Sequence, residues 1–304
     1  MAPGYERKKK MEQIRGSIVA LITPFHEDGS VNFAKIEELL EWHIAEGTDG
    51  ILMLGTTSES PTMSHEEDDA ICKLAVEVVA GRVPVIASSG SNCTQTVIEK
   101  SRSFKNLGAD GLLTIAPYYN KANKEGMYHH FADVADAVDL PMILYNVPGR
   151  TGCSIPVDVV ERLAAHRNIV GIKEASGDLS YVAKLSRFAG EEFAIYSGND
   201  DVILPVLSLG GAGVISVLAN ILPRFTHDMV MDFLEGRFEV ARQAQVGYMN
   251  LINDLFIEVN PIPVKEAMNL MGMEVGGYRL PLYPMAPENR EILRQELVRM
   301  GVVA

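Results

Sequence analysis

The stretch Asn168-Ile169-Val170-Gly171-Ile172-Lys173 is a short apolar run of β type that ends in a lysine. Similar runs recur at intervals of roughly 20 to 35 residues, which is the length of one strand-plus-helix unit. The eight runs are Ser17–Ile22, Gly50–Leu54, Pro84–Ser88, Gly111–Ile115, Pro141–Tyr145, Ile169–Lys173, Phe193–Tyr196 and Gly213–Val217. Because each run is followed by a helical pattern, the sequence predicts an α/β fold of the (β/α)8 TIM barrel type.

Helical periodicity fills the gaps between these runs. Residues 36–45 place apolar side chains on one helical face, and residues 157–165 do the same after Pro156. A doubly wound open sheet is the alternative, but it calls for a glycine-rich turn after the first strand, and Thr23-Pro24-Phe25 is not one. We expect a loose tail over residues 1–15, a barrel over residues 16–236 and a C-terminal helical domain over residues 237–304.

In that last part the pattern is helical throughout. Helices are predicted over Phe238–Phe256, Pro263–Met271 and Pro287–Met300.

Composition limits the classes of partner. The 304 residues are 47% hydrophobic and 22% charged, with a formal net charge of -13. Such acidity argues against binding to nucleic acid and to anionic membranes, although a pocket can still attract an anionic small molecule. No apolar run reaches membrane-spanning length, and the lysine-containing start lacks the apolar core of a signal peptide.

The three cysteines are Cys72, Cys93 and Cys153. Their odd number and wide spacing argue against a disulfide framework and a structural zinc site, and fit a reducing cytoplasm. The seven histidines form no HExxH or HxH pattern, so no metal site is expected. Gly210-Gly211-Ala212-Gly213 precedes a strand instead of joining a strand to a helix, which excludes a dinucleotide fingerprint.

Polar residues follow the predicted strands where a barrel carries its active site. They comprise Gly55-Thr56-Thr57-Ser58-Glu59-Ser60, Tyr118-Tyr119-Asn120, Tyr145-Asn146-Val147-Pro148-Gly149-Arg150, Lys173 and Ser197-Gly198-Asn199-Asp200. A lysine amine among apolar residues loses its proton more easily and can form an imine with a ketone. A strand-end lysine that reaches into solvent is the ordinary alternative. The convergence of these segments favours the catalytic interpretation.

At these residues the chain resembles the dihydrodipicolinate synthase family. The similar segments are Gly55–Ser60, Pro117–Asn120, Tyr145–Gly152, Gly171–Ala175, Gly213–Ser216 and Asn260–Lys265. The resemblance implies a pyruvate-dependent class I aldolase that condenses pyruvate with aspartate semialdehyde, the entry step of diaminopimelate and lysine synthesis. It further implies a homotetramer, built as a dimer of dimers, and no cofactor beyond the imine.

The resemblance also assigns roles to individual residues. Lys173 would form the imine, and Tyr145 would relay protons, linked through Thr56 to a Tyr119 that enters from the neighbouring subunit. Substrate contacts would come from Thr57, which with Thr56 would hold the pyruvate carboxylate, from Arg150, which would bind the carboxylate of the aldehyde, and from Gly198 and Ile215, which would line the pocket.

Ser58 departs from the family pattern, which usually has glycine in this turn. If this position requires a positive φ, serine costs roughly 1 kcal/mol there.

Other functions remain open from the residues alone. One is another 2-oxo-acid aldolase, of the N-acetylneuraminate lyase or 4-hydroxy-2-oxoglutarate aldolase type, with the same lysine and tyrosine but a different aldehyde. Another is a non-catalytic barrel that binds an oxo acid. An intact Lys173 argues against the second, because a binder has no use for an imine-forming amine.

The family's lysine-sensitive members suggest a possible effector site. Ser60, His65, Asn92 and Tyr118 keep the sensitive pattern, whereas Thr96 replaces a glutamate and Asp68 replaces a histidine. We therefore expect feedback inhibition by lysine to be weak or absent, since Thr96 cannot accept the effector's ammonium as a carboxylate would.

Overall fold

The computed structural model describes residues 14–303. Eight parallel strands follow one another around a closed barrel, and the first pairs with the last. The strands are Gly16–Ala20 (β1), Gly50–Met53 (β2), Val85–Ser88 (β3), Gly111–Ile115 (β4), Met142–Asn146 (β5), Ile169–Glu174 (β6), Ala194–Ser197 (β7) and Gly213–Ser216 (β8). The predicted (β/α)8 barrel is confirmed, and each strand lies within two residues of its predicted bounds.

At least one helix follows every strand. The barrel helices are Phe33–Ala45 (α1), His65–Val79 (α2), Thr94–Leu107 (α3), Lys124–Val138 (α4), Pro148–Thr151 (α5), Val157–Ala164 (α6), Leu179–Leu185 (α7), Ile203–Ser208 (α8) and Pro223–Leu234 (α9). The C-terminal helices are Phe238–Gly247 (α10), Met249–Asp254 (α11), Ile262–Leu270 (α12) and Pro287–Arg299 (α13). The predicted domain boundary at residue 236 falls between α9 and α10.

The single helix expected over Phe238–Phe256 is wrong. The chain forms two helices there, and Tyr248 at their junction has a non-helical φ of -102° and ψ of 5°. Apolar periodicity alone cannot detect this break, because the hydrophobic face continues from one helix to the next.

The barrel encloses one apolar core and carries a second between strands and helices. Ile18 points inward and its neighbour Val19 points outward, as alternation along a strand requires. Both side chains are fully buried, which is why the strands read as continuous apolar runs. Where β1 meets β8, a Cβ on Gly213 would lie 2.0 Å from the carbonyl oxygen of Gly16. Glycine at position 213 therefore lets the barrel close.

Most of the tail expected over residues 1–15, namely residues 1–13, lies outside the described residues. Ile14 is 5% exposed and packs into the apolar core inside the barrel. Its carbonyl accepts a hydrogen bond from the Tyr196 hydroxyl at 3.0 Å. Packing against the barrel therefore begins no later than Ile14, two residues before the expected boundary. Among residues 14–303, no helix has both the length and the apolar character needed to cross a membrane.

Candidate active site

A cavity of about 630 Å³ opens at the C-terminal ends of the strands and is roofed by α11 and the residues that follow it. Its polar lining includes Thr56, Thr57, Tyr145, Arg150, Lys173, Asn199, Asp200, Asp201, Asn253 and Asn260. Most of the residues expected to converge on one mouth are thus brought together there. A cavity of this size matches ordinary small-molecule sites.

Lys173 lies near the end of β6 and is 6% exposed. The pKa of Lys173 is lowered to about 8, chiefly by burial; the charge of Asp200 opposes this shift and the charge of Arg150 adds to it. The side chain lies next to Tyr145, which is its register partner on β5, and Nζ is 4.7 Å from the centre of the tyrosine ring. The lysine therefore does not reach into solvent, and its amine is poised to lose a proton near neutral pH.

Gly198 provides the space that the lysine side chain needs. A Cβ at this position would lie 2.6 Å from the Ala175 Cβ and 3.1 Å from the Lys173 Cε. Any side chain there would press against the lysine, so the absence of a Cβ keeps the end of the cavity open.

Tyr145 and Thr56 form a hydrogen-bonded pair beside the lysine. Burial raises the pKa of Tyr145, whereas Arg150 and the hydrogen bond with the Thr56 side chain act in the opposite direction. The phenol therefore stays protonated at neutral pH and has a hydroxyl neighbour with which to exchange a proton.

Asn260 connects two of the expected substrate-binding residues. Its side-chain amide donates to the Thr57 hydroxyl at 2.9 Å, and its backbone carbonyl accepts from Arg150 Nη2 at 3.1 Å. Thr57 is 4% exposed, whereas Arg150 is exposed at the mouth. Both residues are thereby tied to one asparagine.

Asp200 is a site residue to which the sequence assigned no role. It lines the cavity, is 3% exposed, and accepts hydrogen bonds at Oδ2 from the backbone N–H groups of Val217 and Leu218 at 3.0 and 2.9 Å. Burial raises the pKa of Asp200, while these donors and the charge of Lys173 lower it. The only sequence feature that indicated a role for Asp200 was its position in the segment that follows β7.

Ser58 does not have the positive φ on which the expected cost of serine depended. Within the described chain, the left-handed residues of this turn are Leu54 at 62° and Glu59 at 60°. The Ser58 hydroxyl donates to the Leu21 carbonyl at 2.5 Å and accepts from the Gly55 N–H at 3.2 Å. Serine therefore fastens the turn to the end of β1 without backbone strain of its own.

Two expected residues lie away from the cavity lining. Tyr119 is 92% exposed and has a φ of 68°, so it points out of its own subunit. Ile215 is fully buried in the core inside the barrel, below the residues that border the cavity. The structure thus brings neither side chain to Lys173 within one chain.

The possible effector residues lie around the starts of α2 and α3. Asp68 is 2% exposed and is paired with Lys100 Nζ at 2.8 Å, and it accepts from the Ser60 hydroxyl at 3.3 Å. The Asn92 carbonyl accepts from the side chain of Asn120 at 2.9 Å, next to the Tyr118-Tyr119 loop. His65 opens α2. The carboxylate of Asp68 is thus already paired with the ammonium of Lys100 from the same chain.

Among the described residues, no group of three or more His, Cys, Asp or Glu side chains could hold a metal ion. His129 is exposed and its neighbour His130 is buried, so the two rings point to different faces of α4.

The profile of the Dihydrodipicolinate synthetase family matches residues 13–299. The chain belongs to this family. It is 53% identical over 289 residues to a 4-hydroxy-tetrahydrodipicolinate synthase of Clostridium perfringens, covering 95% of this chain and 99% of that protein.

Solved structures of this family have the same fold. The dihydrodipicolinate synthase of Aquifex aeolicus superposes with a TM-score of 0.92 at 44% identity, covering 95% of this chain and 98% of that one. The Acinetobacter baumannii enzyme, solved with pyruvate, superposes with a TM-score of 0.93 at 43% identity, covering 96% of this chain and all of that one.

Proposed function

We propose that this chain is a 4-hydroxy-tetrahydrodipicolinate synthase, which condenses pyruvate with L-aspartate 4-semialdehyde in the diaminopimelate route to lysine. The observation that carries the proposal is Lys173, a buried lysine with a pKa of about 8 at the end of the cavity. The activity named for the half-identical Clostridium perfringens relative supports the choice of reaction.

The covalent step begins at Lys173. Its neutral Nζ adds to the ketone carbon of pyruvate, and loss of water with uptake of one proton leaves a protonated imine. That cation withdraws electrons from the adjacent methyl group, which loses a proton to give the nucleophile that attacks the aldehyde carbon. The imine therefore supplies the electron sink, and we infer that no metal or other cofactor takes part.

Tyr145 serves as the proton relay in this proposal. It is hydrogen-bonded to Thr56 and lies beside Lys173, so it can pass protons to and from the imine and its adducts. We infer that Tyr119 completes the relay from a neighbouring subunit, since it is exposed and remote from its own cavity. The proposal therefore requires at least a dimer, and we infer the homotetramer that the family resemblance implies.

The two carboxylates are assigned to different ends of the cavity. Thr56 and Thr57, with the backbone of their turn, suit the pyruvate carboxylate, and Arg150 at the mouth suits the carboxylate of the aldehyde substrate. Gly198 leaves room for the lysine adduct, and Ile215 supports it from the core below. We also infer a cytoplasmic location, because all three cysteines are free.

Reductive trapping tests the covalent step. Incubation with pyruvate and borohydride should add one pyruvate-derived mass per chain, on the peptide that contains Lys173. Lys173→Ala should abolish the adduct, whereas the matched control Lys184→Ala, on the exposed side of α7, should keep it. An adduct that persists in Lys173→Ala would rule out the assignment, and a panel of aldehydes in a coupled assay then separates this synthase from other 2-oxo-acid aldolases.

A further inference from the structure

The turn after β2 is held at both ends by non-glycine residues in the left-handed conformation, Leu54 and Glu59. Such residues persist only where their surroundings fix them, and they concentrate at functional sites. Thr56 and Thr57 lie between these two points. The contacts that hold Glu59 in its left-handed conformation therefore also set the orientation of the turn.

Both carboxylate oxygens of Glu59 are held by the C-terminal region. Oε1 accepts from Lys265 Nζ at 2.8 Å, and Oε2 accepts from the backbone N–H of Arg279 at 3.1 Å. The side chains of Glu59 and Lys265 are both fully buried. If Glu59 left its left-handed conformation, it would withdraw its carboxylate and leave a buried ammonium without its counter-charge.

Lys265 joins three segments of the chain. Besides Glu59, its ammonium donates to the carbonyl of Thr23 at 2.9 Å, in the loop after β1, and to the carbonyl of Gly277. It also lies 4.4 Å from the centre of the Phe25 ring. All three of its N–H donors are thus used: two tie α12 to the rim of the barrel, at Glu59 and Thr23, and the third joins α12 to the segment that follows it.

The same region reaches the turn a second time. Just before α12, the side chain of Asn260 donates to the Thr57 hydroxyl at 2.9 Å. The turn is therefore held at Thr57 and at Glu59 by residues five positions apart in the C-terminal region.

We propose that Glu59 and Lys265 are positioning residues of the reaction: their buried ion pair fixes the turn so that Thr56 and Thr57 face the pyruvate carboxylate. The C-terminal helices are then part of the catalytic apparatus. This inference rests on the proposed function, because it assumes that pyruvate is the bound ketone.

The test compares Glu59→Gln, Lys265→Met and the double variant Glu59→Gln/Lys265→Met. Each single variant leaves one unpaired buried group, so its melting temperature should fall, whereas the double variant should recover part of the loss. The pyruvate concentration that half-saturates borohydride trapping should rise about tenfold or more in all three, while the KM for the aldehyde changes less than about threefold.

The double variant separates positioning from stability. A purely structural pair predicts that pyruvate binding returns as the melting temperature returns. Our proposal is overturned if the double variant is folded by circular dichroism and binds pyruvate within about twofold of the parent protein. Should Lys265→Met fail to fold, Glu59→Asp gives the same decision, because it keeps the charge and withdraws the carboxylate by one methylene.

Glu266→Gln is the matched control. Glu266 on α12 is the neighbour of Lys265 in the sequence and pairs with Arg290 Nε on α13 at 2.6 Å, within the C-terminal region and without contacting the turn. This variant should leave pyruvate half-saturation unchanged, whatever its effect on the melting temperature. Absence of any adduct on the parent protein would instead refute the proposed function, whereas an adduct that forms equally well in all variants refutes only the present inference.

Discussion

The protonation of Lys173 decides how much nucleophile the cavity offers. With a pKa of about 8, about one-tenth of the amines are neutral at pH 7, against roughly one in three thousand for an ordinary lysine. The carboxylate of Asp200 limits this gain, since it favours the charged ammonium. The same carboxylate becomes useful once the imine carries a positive charge.

The first rate to measure is that of borohydride trapping at low pyruvate as a function of pH. It should rise with pH through a midpoint near 8, because only the neutral amine adds to the ketone. Asp200→Asn should move the midpoint to lower pH, since it removes the one charge that raises the pKa of Lys173. The control is Asp201→Asn, which removes a carboxylate that lines the same cavity but does not act on the lysine. An unmoved midpoint in Asp200→Asn would contradict this coupling.

Ser58 shows where reasoning from single residues fails. A glycine-to-serine departure suggested strain at position 58, but the turn places its left-handed residues at positions 54 and 59. Backbone dihedrals depend on how the turn is anchored, and the anchors are Leu21 on one side and Lys265 on the other. Neither partner is near Ser58 in the sequence, so no local pattern could reveal them.

At the scale of elements, strands were easier to predict than the contacts between distant segments. A strand buried on both faces reads as an unbroken apolar run, so β1 to β8 are visible in the sequence. Lys173 could be singled out from the sequence because a lysine ends such an apolar run. The pairing of Glu59 with Lys265 spans 206 residues, and the sequence showed only that both belong to segments similar to the family.

The helices α2 and α3 bear on regulation. Asp68 on α2 could have supplied the negative charge that Thr96 lacks, but its carboxylate is buried against Lys100 on α3. Burial raises the pKa of Asp68, while Lys100 and the Ser60 hydroxyl oppose that shift. Because Asp68 is already paired with Lys100, its carboxylate is not available to the ammonium of a free lysine. This supports the expectation of weak binding.

Lysine should therefore inhibit weakly. Titration of the initial rate with lysine at sub-saturating pyruvate should show no half-inhibition below about 1 mM, since a missing charge-assisted hydrogen bond weakens binding about ten- to a hundredfold. Thr96→Glu should restore sensitivity by about that factor, and Thr96→Gln, which is similar in size and uncharged, should not. Half-inhibition well below a millimolar in the parent protein would refute this interpretation.

For the whole molecule, buried histidines link stability to pH. His43 on α1 is fully buried, neither ring nitrogen has a hydrogen-bond partner among the described residues, and burial lowers its pKa to about 3. Burial also lowers the pKa of His130 to about 4. The unfolded chain takes up protons at these rings below about pH 6.5, whereas the folded chain does not, so stability falls as pH drops towards 4.

His43→Phe should remove part of this acid sensitivity. Between pH 7.5 and pH 5, the parent protein should lose about 2 kcal/mol of unfolding free energy through His43 alone, and the variant should not. Urea unfolding at one fixed protein concentration measures the difference. His129→Phe, at an exposed position on α4, is the control and should follow the parent. Parallel pH profiles for the parent and His43→Phe would show that His43 does not carry the effect.

The outward position of Tyr119 makes a mixing experiment informative. Under the proposed relay, Lys173→Ala and Tyr119→Phe each disable every site when purified alone. In a mixed pair, one site receives both lesions and the other receives none. If chains re-pair at random after dissociation, half of the pairs are mixed and each has one intact site, so about a quarter of the parental turnover should reappear. Two preparations that are inactive alone would then regain activity when mixed. If exchange of chains is verified and no activity returns, Tyr119 does not take part in the reaction at the neighbouring site.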